Sequence, residues 1–171
     1  MDFKCYPVIL QDNEHERRAK IFWKMQDEGL DKVVFYDTLS SNIDLWLKYS
    51  TLPNGWTAPV YNDKGELIAC GWLNGFMGKS AFCHFIVFKA YRKYKIEIGQ
   101  VWLKAIFATK QFDSLCGFTP SVYRSVLSFI KLIGFELAHL RVPGACYIAR
   151  KDRCVDGVFS IITRDKVCLL N

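Results

Sequence analysis

The run AFCHFIVF at positions 81–88, followed at once by KAYRKYK at 89–95, decides the fold of this chain. Ala81–Phe88 is apolar, aromatic-rich and of strand length, so it reads as a buried strand. Lys89–Lys95 reads as a basic turn, with Lys89, Arg92, Lys93 and Lys95 as its cations. After it, Ile98, Val101, Trp102, Ala105 and Ile106 recur at three- and four-residue spacing, which predicts a helix over 97–109. Phe112–Phe118 is again extended. Val122, Val126, Phe129, Ile130 and Ile133 then predict a helix over 121–133, with Thr119 as its cap and Pro120 in its first turn. Gly134-Phe135 leads into a further strand. A turn joining a strand end to a helix start is where α/β proteins hold phosphates, because the first helical amides lack partners inside the helix.

Working outward, Tyr6–Leu10 reads as a first strand. Asn13 with Glu16 has capping-box spacing, Ala19, Phe22, Trp23 and Gln26 follow at helical spacing, and Gly29 ends that helix. Val33–Tyr36 is short and apolar, and fits either a strand or a continued helix. Ser40 or Ser41 can cap a short helix through Ile43, Leu45, Trp46 and Leu47, which Pro53-Asn54-Gly55 breaks. Thr57–Tyr61 and Glu66–Phe76 flank the turn residues Asn62-Asp63-Lys64-Gly65, a hairpin signal. A further turn at 75–79 feeds the 81–88 strand and completes a three-stranded antiparallel meander. Phe135–Arg141 and Cys146–Ala149 read as two closing strands joined by Pro143-Gly144, and Val158–Thr163 as one more strand in the tail. A meander followed by a β-α-β-α-β half is a mixed α/β sheet, which opens a ligand cleft at the carboxyl ends of its middle strands.

With 171 residues, 51% hydrophobic and 23% charged, the chain is long and apolar enough for one globular domain. No apolar run reaches the length of a membrane span, and the N-terminus turns polar too early for a signal peptide, so a non-exported, cytoplasmic chain is expected. The seven cysteines form no CxxC pair and read as reduced, buried thiols. Cys83 and His84 are neighbours on one strand and point to opposite faces, so no metal site is expected there. A net charge of +6 permits an anionic partner. Nucleic acid ranks last among such partners, because no recognition-helix or aromatic-interleaved motif accompanies the charge.

The order of elements, with Val87-x-x-x-Tyr91-Arg92 after the 81–88 strand, Pro120 before the later helix and Gly134-Phe135 after it, resembles the GCN5-related N-acetyltransferase superfamily over about residues 6–150. In general character the chain also resembles a phage-encoded, acetyltransferase-like subgroup, some of it associated with head assembly. The resemblance implies a mostly antiparallel central sheet of about six or seven strands flanked by about four helices. It further implies a single domain over 1–171 with a C-terminal extension at 151–171. Acetyl-CoA or another acyl-CoA, with no metal, is the implied cofactor, held by Phe88, Arg92, Lys93, Tyr94, Lys95 and Glu97.

The sequence departs from that family where the chemistry lies. The loop glycines whose bare amides wrap a pyrophosphate are replaced by Lys95 and Glu97, where side chains crowd the backbone's approach to phosphate. The position of an early helical Asn holds Tyr123, and that of a proton-donating Tyr holds Ile130. Candidate catalytic residues are therefore His84 as a base of suitable intrinsic pKa, Cys83, and Tyr123 as a substitute acid. Three functions compete: an acyl-CoA-dependent N-acyltransferase acting by direct attack of an unknown amine on the thioester, a non-catalytic binding or assembly protein, and a nucleic-acid binder. The second could act in phage morphogenesis, in a host cytoplasm or virion, with self-association through Trp46, Trp56 or Trp72.

Overall fold

The structure, a computed structural model, describes residues 3–38 and 41–169. Its centre is one seven-stranded sheet. β1 (Cys5–Pro7), β2 (Gly55–Asn62), β3 (Leu67–Met77) and β4 (Ser80–Val87) form an antiparallel run, with Asn62–Gly65 making the expected hairpin turn. The Asn62 side chain accepts from the amides of Lys64 and Glu66 at 3.0 and 2.9 Å, so the turn carries its own hydrogen-bonding template. β5 (Ser114–Pro120) joins β4 in parallel. On its other side it pairs with β7 (Arg153–Thr163), and β6 (Glu136–Ile148) closes the edge, for an order β1-β2-β3-β4-β5-β7-β6.

Six α-helices surround the sheet among the described residues: α1 (His15–Asp27), α2 (Asp31–Val34), α3 (Ile43–Tyr49), α4 (Lys95–Ala108), α5 (Arg124–Leu132) and α6 (Arg164–Cys168). The alternation of strand side chains sends one set to each face. On one face Trp72, Ile86 and Phe88 pack with Ile21, Phe22 and Met25 of α1 and with Trp46 of α3. On the other, Ala69, Leu73, Ala81 and Leu115 pack with Ile98, Trp102, Leu103 and Ile106 of α4. Cys83 and His84 thus face opposite ways, as neighbours on a strand must.

Several expectations need correction. Glu14, not Asn13, begins α1, its carboxylate accepting from the Gln11 amide, and the 33–36 segment is helical up to Val34. Asn42 caps α3 by accepting from the Asp44 amide; Ser41 is instead bonded to Asp31, and Ser40 lies outside the described residues. Pro120 ends β5 rather than opening a helix, and α5 starts only at Arg124. β6 runs unbroken through Pro143-Gly144, because irregular pairing with β7 between Val142 and Cys146 absorbs the kink. The tail is no appendage: β7, starting at Arg153, sits between β5 and β6. Trp46 and Trp72 are 2% and 3% exposed, so they belong to the core and cannot mediate self-association. Cys154 and Cys168 are exposed, whereas Cys70, Cys116 and Cys146 are buried as expected. No described helix is long and apolar enough to cross a membrane.

Candidate active site

β5 is bonded to β7 along its whole length, from Ser114–Thr163 to Pro120–Gly157. Against β4 it keeps only three pairs, Ser80–Ser114, Ala81–Leu115 and Phe82–Cys116. Beyond Cys116 the two parallel strands part, and the gap is a cleft of about 510 Å³ through the sheet. Its rims are Cys83–Val87 of β4 and Gly117–Pro120 of β5.

The ladder phase decides which amides face this gap. Phe88 N–H donates to Ile68 O at 3.0 Å, which makes residues 88 and 68 a hydrogen-bonded pair. Alternation then turns the amides of 86 and 84 toward β3 and those of Phe85 and Val87 toward the cleft, beyond the last β4–β5 pair. Phe88 is 1% exposed in the α1-side core with its amide already bonded, so neither its side chain nor its N–H serves the cleft.

The basic segment is a tight 3-10 turn, Lys89–Tyr94, running straight into α4. Its i→i+3 bonds include Tyr91 N–H to Phe88 O at 2.9 Å and Lys95 N–H to Arg92 O. Its first amide, Lys89 N–H, donates to Glu28 Oε2 at 2.6 Å, from beyond the end of α1. Tyr94 is stacked on Phe3 with centroids 4.1 Å apart, and Asn62 Nδ2 donates to the Tyr91 hydroxyl at 3.3 Å. Of the six residues expected to hold a cofactor, Arg92 and Lys95 line the cleft. Phe88, Lys93, Tyr94 and Glu97 are not among its lining residues: Lys93 lies over the Tyr94 ring, and Glu97 is exposed.

Cys83, His84 and Tyr123 are all among the residues that line the cleft. His84 stacks on Trp72, and its Nε2 lies 3.1 Å from Asn74 Oδ1. Burial pushes its pKa down to about 4, so the ring is neutral at neutral pH. Cys83 has its thiol pushed up to about 12, chiefly by burial, so it carries no thiolate and is a poor nucleophile. Tyr123, at the start of α5, meets Tyr36 edge-on at 6.0 Å. Burial raises its pKa, partly opposed by the Arg150 charge, and the hydroxyl keeps its proton. Ile130 and Phe129 complete an apolar wall, with Phe85 stacked on Phe129 at 6.2 Å.

Tyr36 was not singled out by sequence. It sits just past α2, its hydroxyl donates to Cys146 Sγ at 3.8 Å, and its carbonyl accepts from Ala149 N–H at 2.9 Å. Those bonds tie the α1–α2 side of the cleft to the end of β6 over more than a hundred residues of sequence. No local pattern announces such a contact.

The sheet that parts between β4 and β5, with α4 beginning at the open end, defines the GCN5-related N-acetyltransferase fold. Comparison with solved structures agrees. The spermidine N-acetyltransferase from Vibrio cholerae, in complex with CoA and spermine, matches with a TM-score of 0.74 over 96% of this chain and 98% of that one, at 12% identity. A chimera of the Vibrio cholerae enzyme with hSSAT matches at 0.71 over the same shares, with 14% identity. No protein-family model and no curated protein sequence matches.

Proposed function

We propose that this chain is an acyl-CoA-dependent N-acyltransferase with an altered pyrophosphate loop. The observation that carries the reading is the parting of β4 and β5 into a cleft that holds Arg92 and Lys95 together with the free-facing amides of Phe85 and Val87. Arg92 and Lys95 supply positive charge for the phosphates of a CoA-type ligand. The apolar wall of Phe85, Phe129 and Ile130 suits its pantetheine arm. A bound acyl-CoA supplies the thioester carbon that a free amine attacks directly. The amides of Phe85 and Val87 stabilise the negative charge that develops on the carbonyl oxygen. His84, neutral and donating its Nε2–H to Asn74 Oδ1, leaves only Nδ1 to accept a hydrogen bond and is no strong base. Tyr123 keeps a proton for the departing thiol.

A second reading, a non-catalytic binding or assembly protein such as a phage morphogenesis factor, is favoured by the 3-10 turn. That turn spends on its own carbonyls and on Glu28 the amides that a pyrophosphate would use. Calorimetric titration of acetyl-CoA and of CoA into wild type, Arg92→Ala and Lys95→Ala separates the two. Micromolar binding, weakened about tenfold by either substitution, supports the first. Absence of binding by folded wild type at about 1 mM ligand overturns it.

A further inference from the structure

The cleft has two chemically different sides. Toward α4 and α5 lie Arg92, Lys95, Phe129 and Ile130; toward α1 and α2 lie Leu30, Val33, Val34 and Tyr36, opposite Trp72 and His84. If a CoA-type ligand takes the basic side, an acceptor amine must enter from the other. That side is apolar and aromatic. Among the described residues lining the whole cleft there is no Asp or Glu, and the fully charged groups are Arg92 and Lys95. Four acids lie close by in sequence: Asp27 and Asp37 are exposed and outside the lining, and Glu28 and Asp31 are engaged elsewhere. Glu28 accepts from Lys89 N–H at 2.6 Å and pairs with Lys24 at 3.3 Å. Asp31 accepts from Ser41 at 2.8 Å through Oδ2, while its Oδ1 is sealed from solvent and hence from anything in the cleft.

We infer that the acceptor taken by this cleft is a monoamine on an apolar, preferably aromatic, body, and that polyamines are excluded from it. The inference rests on the acyltransferase reading and names the substrate class for the same site. Each ammonium of a polyamine brought between Trp72, His84 and Val34 loses hydration and finds no carboxylate to replace it, and like charges at Arg92 and Lys95 add repulsion. A monoamine escapes this by entering unprotonated. Its ring or alkyl body buries against the stacked Trp72–His84 pair and the Tyr36–Tyr123 edge. Because no strong base lines that side, amines that lose their proton readily are the better acceptors. The transfer balances without another reactant: the C–S bond of the thioester breaks, a C–N bond forms, and the nitrogen's proton ends on the thiol.

The test uses the full chain, with CoA binding measured first by calorimetry. Acetylation of 2-phenylethylamine and of spermidine is then followed by thiol release from acetyl-CoA, with amine binding measured in the presence of saturating CoA. The expected result is kcat/KM at least about tenfold higher for 2-phenylethylamine. Val34→Asp, which adds a carboxylate to the lining, should narrow or reverse that ratio. If CoA binds but spermidine is used as well as the aromatic amine, the inference is overturned. The same holds if CoA binds and 2-phenylethylamine is neither bound nor acetylated. If CoA itself does not bind, the acyltransferase reading falls and takes the inference with it. The wild-type comparison decides the matter even if Val34→Asp fails to fold.

Discussion

Trp72 and His84 stand opposite each other on β3 and β4, their rings stacked with centroids 5.0 Å apart and planes 8° from parallel. The stack shields much of the imidazole from water, and that has a thermodynamic consequence. His84 titrates near 4 in the folded chain against 6.5 ordinarily. Between those values the unfolded chain binds the extra proton, so stability is full above about 6.5 and falls as pH drops toward 4. The full difference is worth about 3 kcal/mol, an upper bound because the ring keeps some contact with solvent in the cleft. His84→Gln can still bond Asn74 and does not titrate. Urea unfolding at pH 7 and pH 4.5 should show wild type losing more stability than the variant over that interval. Equal losses would mean that the ring is protonated in the folded state.

That residue also shows how far sequence reaches. The meander was legible because Asn62–Gly65 is a turn by composition and the flanking runs have strand length and apolarity. α4 was legible from its apolar stripe alone. Cys83, His84 and Tyr123 were candidates through the resemblance alone, since strand parity sends Cys83 and His84 to opposite faces and does not say which of them lines a cleft. The insertion of β7 between β5 and β6 was not legible, since strand order is set by pairing between distant segments. The same holds for Glu28, whose carboxylate meets Lys89 N–H across 61 positions. Basic composition announced positive charge at 89–95 but carried no information about whether the amides there are free.

Glu28 therefore gives a separate prediction. Its carboxylate holds Lys89 N–H and places a negative charge at the start of the turn that leads into α4. Glu28→Gln removes the charge and weakens the bond, which should cost on the order of 1 kcal/mol of stability, as the loss of a cap does. If phosphate binds beside Arg92 and Lys95, the same change should tighten CoA binding several-fold at low salt, with a smaller gain at high salt. Calorimetry at two ionic strengths reads both effects. Weaker binding in the variant would show that Glu28 organises the turn for its ligand.

Gly71 is fixed by its neighbour across the sheet face. A Cβ built there would lie 2.2 Å from Trp102 Cε2, and Trp102 cannot retreat, because it is 2% exposed and its Nε1 donates to Ala58 O at 3.0 Å. Gly71→Ala should cost about 3 kcal/mol or more by forced repacking. Chemical denaturation measures it directly, with loss of near-ultraviolet circular dichroism from Trp102 as an independent sign. A neutral outcome would mean that α4 is free to shift outward.

Tyr123 and Tyr36 meet edge-on in the cleft, yet their hydroxyls have different tasks. That of Tyr36 donates to Cys146 and braces the α1–α2 side against β6. That of Tyr123, with its pKa raised by burial, remains a proton donor throughout the neutral range. If it protonates the departing thiol, Tyr123→Phe should lower kcat on the order of 10²-fold and leave the binding of acetyl-CoA unchanged. Tyr36→Phe should instead raise the KM for the amine and lower stability, with a smaller effect on kcat. The pH dependence adds a check that a packing role would not pass. In wild type the alkaline fall in kcat should lie above the ordinary tyrosine range near 10, and it should vanish in Tyr123→Phe. A variant that keeps both rate and alkaline limb would remove Tyr123 from the chemistry and leave solvent as the proton source.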